Sequence, residues 1–418
     1  MNHSSGTIGR WQGAGLMATT LLGTGVFILP QMTIEIAGVG ALLAWGLLTL
    51  AIIPIALVFA RLGSQFSHAA GPAYFVEQAF GRVLGRAVGL SFLLIVPIGA
   101  PAAVLMTMQF VNALVPIAGT QMLGCELAVL VLLMVINLRG IQISAKAQLA
   151  LTLGMILVVL ALCIMGGIQP PPAPTETLPS MGLDTTLTAL GIAFWSFLGI
   201  EAMTHLSGDF RRPKQDMVPA MMTGTVLVGV IYLGCSWLLL RFDNQQPLAM
   251  IGAFNQLMGG YGAWVIGLLG IASGMATVNV YCASVARLLC SFSEQGILPA
   301  WFTPRNRAGV PVRALGTVLS VMAVVIVVNY LAEVRLDQLI SWANGVFVII
   351  YLLSMLAAFK LLPNARGLAL VSSVLCLLFG IALGGAMIYA ILLLLLLLPL
   401  LWYQLRVKQR HAPQPTAL

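Results

Sequence analysis

Long apolar runs follow one another along the chain, separated by short polar stretches. A bilayer-crossing α-helix needs about 20 apolar residues, and the pattern predicts twelve such helices. They fall at about 13–36, 40–61, 87–114, 122–138, 143–168, 184–207, 218–240, 260–290, 312–331, 336–360, 367–384 and 386–403. Two are interrupted. The first carries Gly23-Thr24-Gly25-Val26-Phe27 followed by Pro30, and the sixth carries Phe194-Trp195-Ser196-Phe197-Leu198-Gly199-Ile200-Glu201. Gly frees the backbone to leave helical geometry, and an ionisable group at membrane depth is costly unless solvated or paired. A half-helix, a Gly-containing break and then an acid is the pattern of a discontinuous transporter helix, with a binding site near the midplane. The competing reading is that both breaks are Gly-rich packing seams and Glu201 a buried structural acid.

Composition narrows the class. The 418 residues are 60% hydrophobic and 8% charged, too apolar for a soluble chain to cover. The expected fold is an all-α integral membrane protein. A polar re-entry at Gly63–Gly85 carries short helical signals, and Gln169–Pro174 reads as a stiff extended connector. The six cysteines form no C-x-x-C pair and no Cys/His cluster, so no metal site, redox motif or cofactor is expected. Of the four histidines, His205 near the end of the sixth helix reads as an interfacial residue.

The net charge of +8 has a topological meaning. With a cytoplasmic N-terminus, eighteen of the twenty Lys/Arg fall on the cytoplasmic side, leaving only Arg241 and Arg335 outside. That is the positive-inside bias, and it puts both termini in the cytoplasm. The same spread over every loop makes no basic stripe for nucleic acid. The two breaks lie five spans apart, an odd number, so repeats beginning at each would be inverted. Five-plus-five inverted repeats with helices 1 and 6 unwound describe the LeuT-type architecture. The expected division is 1–168 for the first repeat, 169–183 for the external connector and 184–362 for the second repeat. Two added helices at 363–405 and a basic tail at 406–418 complete it.

These residues resemble the amino acid–polyamine–organocation transporters. Gly23-Thr24-Gly25-Val26-Phe27 is similar to that family's helix 1 break, and Phe194 to Glu201 to its helix 6 signature. Ala70-Gly71-Pro72-Ala73-Tyr74-Phe75 with Gly81, Gly85 and Gly89 resembles its loop between helices 2 and 3. Leu298-Pro299-Ala300-Trp301-Phe302 with Gly309-Val310-Pro311 resembles the loop before helix 9. The resemblance covers helices 1 to 10. Within the family the pattern is most similar to exporters of methionine and branched-chain amino acids.

The resemblance implies a site. Free N–H groups of Gly23, Thr24 and Gly25 would hold a substrate carboxylate, with the helix dipole behind them. Carbonyls around Trp195, Phe197 and Leu198 would take the ammonium. Trp195 would cover the substrate as a gate, Leu21 and Leu198 would flank its side chain, and Glu201 would couple protons. It further implies an inner-membrane location in a bacterium, protons as coupling ion, and room for a homodimer. There are departures. The mid-helix 5 lysine of some relatives aligns with Met155, leaving Glu201 as the coupling candidate, and helix 8 offers only Ser273, Thr277 and Asn279 as sodium ligands. With no further acid near the midplane, a cationic substrate would lack a partner. The expected function is secondary transport of neutral apolar amino acids, with efflux of methionine, leucine, isoleucine and valine by proton-linked antiport. A proton-coupled uptake permease or an amino acid/product exchanger is the alternative. No catalytic constellation, no ATP-binding loop and no receptor-sized soluble domain is present in the sequence.

Overall fold

The computed structural model describes residues 8–23, 25–68, 70–140, 145–170, 182–242 and 246–410; of Ala145, Lys146 and residues 407–410 only the backbone is described. Residues 171–174 of the Pro-rich connector, Ser144 and Thr24 lie outside this set, as does most of the basic tail.

The described chain is helical, with two single-residue bridges as its only strand-like pairing. In order the helices are α1 (Arg10–Leu22), α2 (Leu29–Ala37), α3 (Gly40–Gln65), α4 (Pro72–Phe80), α5 (Arg82–Leu114), α6 (Thr120–Leu138), α7 (Ala145–Ile168) and α8 (Leu183–Ala193). They continue with α9 (Ala202–His205), α10 (Pro213–Arg241), α11 (Ala249–Met258), α12 (Gly262–Glu294), α13 (Val312–Leu331), α14 (Leu336–Leu361), α15 (Arg366–Leu383) and α16 (Met387–Arg410). Ten helical stretches among the described residues are long and apolar enough to cross a membrane. The first apolar run is outside that number because its break leaves two short helices, and α15 and α16 are counted as one stretch across the turn Gly384–Ala386. The polar re-entry holds α4. The short helix α11 was not among the expected elements: an apolar run of that length cannot span, so a reading tuned to spans passes over it.

The helices pack in two groups. α1, α3 and α10 lie together, with α2 and α8 against α3. α5, α12 and α13 form the second group, with α6 on α13. Water drives nothing together inside a bilayer, so close packing of small residues sets these contacts. On α12 a Cβ added at Gly270 would stand 2.5 Å from the Phe110 ring, and one at Gly274 would stand 2.0 Å from the Thr107 hydroxyl. That four-residue spacing puts both glycines on one face, and it lets α5 and α12 approach backbone to side chain.

At the Arg-rich end, the segment before α1 pairs with the segment after α9. The Ile8 N–H donates to the Asp209 carbonyl at 3.0 Å and the Arg211 N–H to the Ile8 carbonyl at 2.9 Å. Arg10 and Arg212 both reach the buried Asp216 carboxylate, at 3.9 and 3.5 Å. Both interrupted helices are therefore joined at the same end of the molecule.

Candidate functional site

The local sequence explains each break. α1 ends where Gly23 takes φ +31°, a conformation that a side chain disfavours. Pro30 would remove a hydrogen bond from a continuous helix; here it occupies the first turn of α2, where an N–H has no intrahelical partner anyway. In the second break, α8 tightens into the 3-10 turn Phe194–Phe197, Leu198 is extended, and Gly199 stands at φ +115° before α9 begins.

Glu201 sits at that restart, fully buried. Its Oε2 accepts the Gly199 N–H at 3.0 Å and the hydroxyl of Tyr351 on α14. The same hydroxyl lies 3.1 Å from the Phe197 carbonyl. The acid thus binds the backbone of its own break and links it to α14. Its Oε1 has no hydrogen-bond partner among the described residues, an expensive state for a buried polar atom.

A cavity lies between the two breaks. It is lined by Leu21, Gly23 and Gly25 from the first, and by Trp195 and Leu198 from the second. Its apolar wall comes from Ile95, Val96, Gly99, Ala100 and Ala103 on α5, with Ala343 and Phe347 on α14. Hydroxyls of Thr20, Thr277, Tyr232 and Tyr281 border it, and no charged side chain is among the lining residues. Pro97 and Pro101 lie inside α5. Lacking N–H groups, they cannot donate to the carbonyls of Leu93 and Pro97 one turn earlier.

Five of the eight site residues named from the sequence meet at this cavity. Phe197 does not line it: its ring is buried in packing and its carbonyl faces Tyr351. Glu201 stands behind the break rather than in the lining, and Thr24 lies outside the described residues. The expectation of free N–H groups at Gly23 and Gly25 needs correction in this conformation. The Gly23 N–H reaches the Thr19 carbonyl at 3.4 Å and the Gly25 N–H the Leu22 carbonyl at 3.2 Å, so the end of α1 satisfies its own donors. Both bonds are longer than the usual ~2.9–3.0 Å. Charge-assisted bonds to a carboxylate are roughly twice as strong as neutral ones, so an incoming carboxylate can displace them.

Other residues were not foreseen. Tyr232 on α10 is fully buried, stacks on Trp45 at 4.4 Å and 7°, and donates to the Leu21 carbonyl at 3.4 Å. Trp45 in turn donates to the Thr33 hydroxyl on α2 at 3.0 Å. No spacing rule in the sequence pairs α10 with either half of the broken helix. Glu126 on α6 is a further acid within an apolar helix, 8% exposed, and it is not part of the lining. Ser273 donates to the Gly23 carbonyl at 2.7 Å, while Asn279 faces Asn137 at 2.5 Å and so serves packing between α12 and α6. Met155 is buried in the core, and the Lys146 side chain lies outside the described set.

Gly25 gives a direct test of the cavity geometry. A Cβ there would stand 2.6 Å from Leu29 Cδ1 and 2.9 Å from the Tyr232 hydroxyl. Leu29 can swing away, but Tyr232 is held by its stack on Trp45. Gly25→Val is expected to reach the membrane normally and to lose counterflow activity; wild-type counterflow would mean that the turn tolerates a side chain.

Comparison with known proteins agrees in class. The Amino acid permease family profile matches residues 8–414. The chain is 37% identical to the L-methionine/branched-chain amino acid exporter YjeH of Escherichia coli (strain K12), covering 93% of this chain and 94% of the relative. It is 27% identical to the uncharacterized amino acid permease YecA of Bacillus subtilis (strain 168), covering 84% of each. The putrescine transporter PotE of Escherichia coli (strain K12) is similar at 22% identity, over 82% of this chain and 81% of that one. With a profile match across nearly its whole length and two interrupted helices around one cavity, the chain belongs to the amino acid permease family.

Proposed function

We propose that this permease exports neutral apolar amino acids, methionine, leucine, isoleucine and valine among them, by proton-linked alternating access. The observation that carries the reading is the cavity itself. It offers backbone polar groups at two helix breaks, apolar walls and hydroxyls, and no charged side chain among its lining residues. A substrate with a charged side chain would be desolvated there without a partner, whereas an α-carboxylate and α-ammonium find backbone N–H groups and carbonyls at the two breaks. In this conformation those groups hold one another, the Trp195 carbonyl accepting the Leu198 N–H at 3.1 Å, and a charged group can displace such bonds. The relative at 37% identity is named for the same substrate class, which supports it. Gly23, Thr24 and Gly25 take the carboxylate; carbonyls near Trp195, Phe197 and Leu198 take the ammonium. Leu21 and Leu198 flank the side chain, Trp195 covers it, and Glu201 carries the coupling proton. The reaction is translocation, with no bond of the substrate broken.

The proposed topology has twelve spans, with the broken first run as span 1 and α15 and α16 as the last two. Residues 1–168 and 184–362 form inverted repeats joined by the external connector 169–183, and both termini face the cytoplasm of a bacterial inner membrane. Support comes from the packing groups: the first two spans of each half lie together, and so do the third and fourth. Export, rather than uptake or exchange, rests on the similarity to the named exporter.

Counterflow in proteoliposomes tests the substrate class. Methionine, leucine, isoleucine and valine are expected to compete with one another for labelled methionine, with arginine and glutamate failing to compete at equal concentration. Competition by arginine as strong as that by leucine would sink the reading.

A further inference from the structure

A second feature lies outside the cavity between the breaks, on the exposed side of α13. Trp301, Arg313, Gly316, Thr317, Ser320, Val321 and Val324 line an open groove of ≈ 440 Å³. The spacing of 313, 316/317, 320/321 and 324 puts all the α13 members on one helical face. Gly316 forms the notch: the nearest heavy atom to a Cβ added there is Met134 Cε on α6, 3.9 Å away. The groove is graded along its length. At one end the Arg313 guanidinium lies 5.4 Å from the centre of the Trp301 ring, and at the other Val321 and Val324 are exposed.

The charge at the Arg313 end is uncompensated. The Arg313 guanidinium forms no ion pair among the described residues; its hydrogen bond is a long one, 3.4 Å, to the Trp301 carbonyl, while the Arg313 backbone carbonyl accepts the Thr317 hydroxyl at 2.9 Å. Glu294, the last residue of α12, is paired with Arg305 at 2.7 Å. Arg313 also stands in the first turn of α13, which holds no acidic residue, so a side-chain cation adds to the positive end of the helix dipole. That combination favours an anion. Thr317 lies one turn further in and Val324 about 16 Å from Arg313 along the axis.

We propose that this groove is a binding site for one anionic phospholipid. The phosphate rests on Arg313 beside the Trp301 ring, the glycerol ester lies at Thr317 over the Gly316 notch, and an acyl chain follows Val321 and Val324. Trp at the membrane boundary and a basic residue beside it are the groups that hold a head group at that depth.

Native mass spectrometry of the delipidated full-length protein tests this, with phosphatidylglycerol and phosphatidylcholine offered in equal amounts. Wild type is expected to retain one phosphatidylglycerol, favoured about fivefold over phosphatidylcholine, the preference that one basic residue supplies. Arg313→Gln should erase that preference, and Gly316→Leu, which fills the notch, should lower retention of both lipids. Equal retention of the two lipids by wild type would overturn the proposal, as would an unchanged preference in Arg313→Gln. Displacement of the lipid by millimolar inorganic phosphate would overturn it in favour of a simple anion site. A dimer broken by Gly316→Leu would overturn it in favour of a second copy of the chain. The readout is independent of transport, so its failure leaves the substrate reading intact.

Discussion

Gly199→Ala is expected to reduce counterflow by an order of magnitude or more while the protein still inserts and purifies. Two effects coincide at this residue. Gly199 stands at φ +115°, where a non-glycine residue costs about 1–3 kcal/mol of backbone strain. An added Cβ would also lie 2.5 Å from Cγ2 of Thr20, a cavity residue on α1. Thr20 cannot turn away freely, because its hydroxyl donates to the Leu16 carbonyl at 2.8 Å. Relief therefore requires moving one broken helix against the other. Adding Thr20→Ser, which keeps the hydroxyl and deletes the methyl, separates the two contributions. Activity should recover in part, with the torsional share remaining. Full activity in Gly199→Ala alone would show that the second break is not held in this geometry for transport.

Glu201 is expected to give the second large effect. In Glu201→Gln the amide oxygen can still accept the Gly199 N–H and the Tyr351 hydroxyl, so the break keeps its two anchors. What disappears is the one ionisable group at the restart of α9. Substrate counterflow should persist, and the dependence of net efflux on pH should flatten. Glu201→Ala removes the anchors as well. Each bond to such a group contributes about 1.5–3 kcal/mol, so that variant should lose counterflow together with stability. Tyr351→Phe should lose part of the same interaction, and its effect should not add to that of Glu201→Ala. If Glu201→Gln retains a wild-type pH profile, Glu201 is an anchor of the break and no part of the coupling.

Much of the site was legible because chain interruption is a local property. Gly23, Gly25, Pro30 and Gly199 each restrict or free the backbone where they stand, whatever surrounds them, so both breaks could be placed before any packing was known. The acid at 201 was equally visible, since a carboxylate inside an apolar run has few structural reasons to be there. Its partners were not visible. Tyr351 lies 150 residues away in sequence, and a hydroxyl on an apolar helix carries no mark of which face it presents.

Sequence by itself determined the helical membrane class, the positions of both breaks and the apolar character of the surroundings, because backbone freedom, span length and hydrophobicity are written residue by residue. The tertiary structure alone decided which side chains face the space between the breaks. Tyr232 reaches Leu21 only because α10 packs along α1 and α3, and Phe197 is drawn out of the lining because the 3-10 turn directs its ring into packing and its carbonyl toward Tyr351. It also decided that the Gly23 and Gly25 donors rest on α1 carbonyls in this conformation. Inside a bilayer the helix faces are nearly uniform in polarity, so hydrophobic periodicity cannot set their rotation. Close packing of small residues and a few buried hydrogen bonds do so instead, and these depend on neighbours far away in the chain.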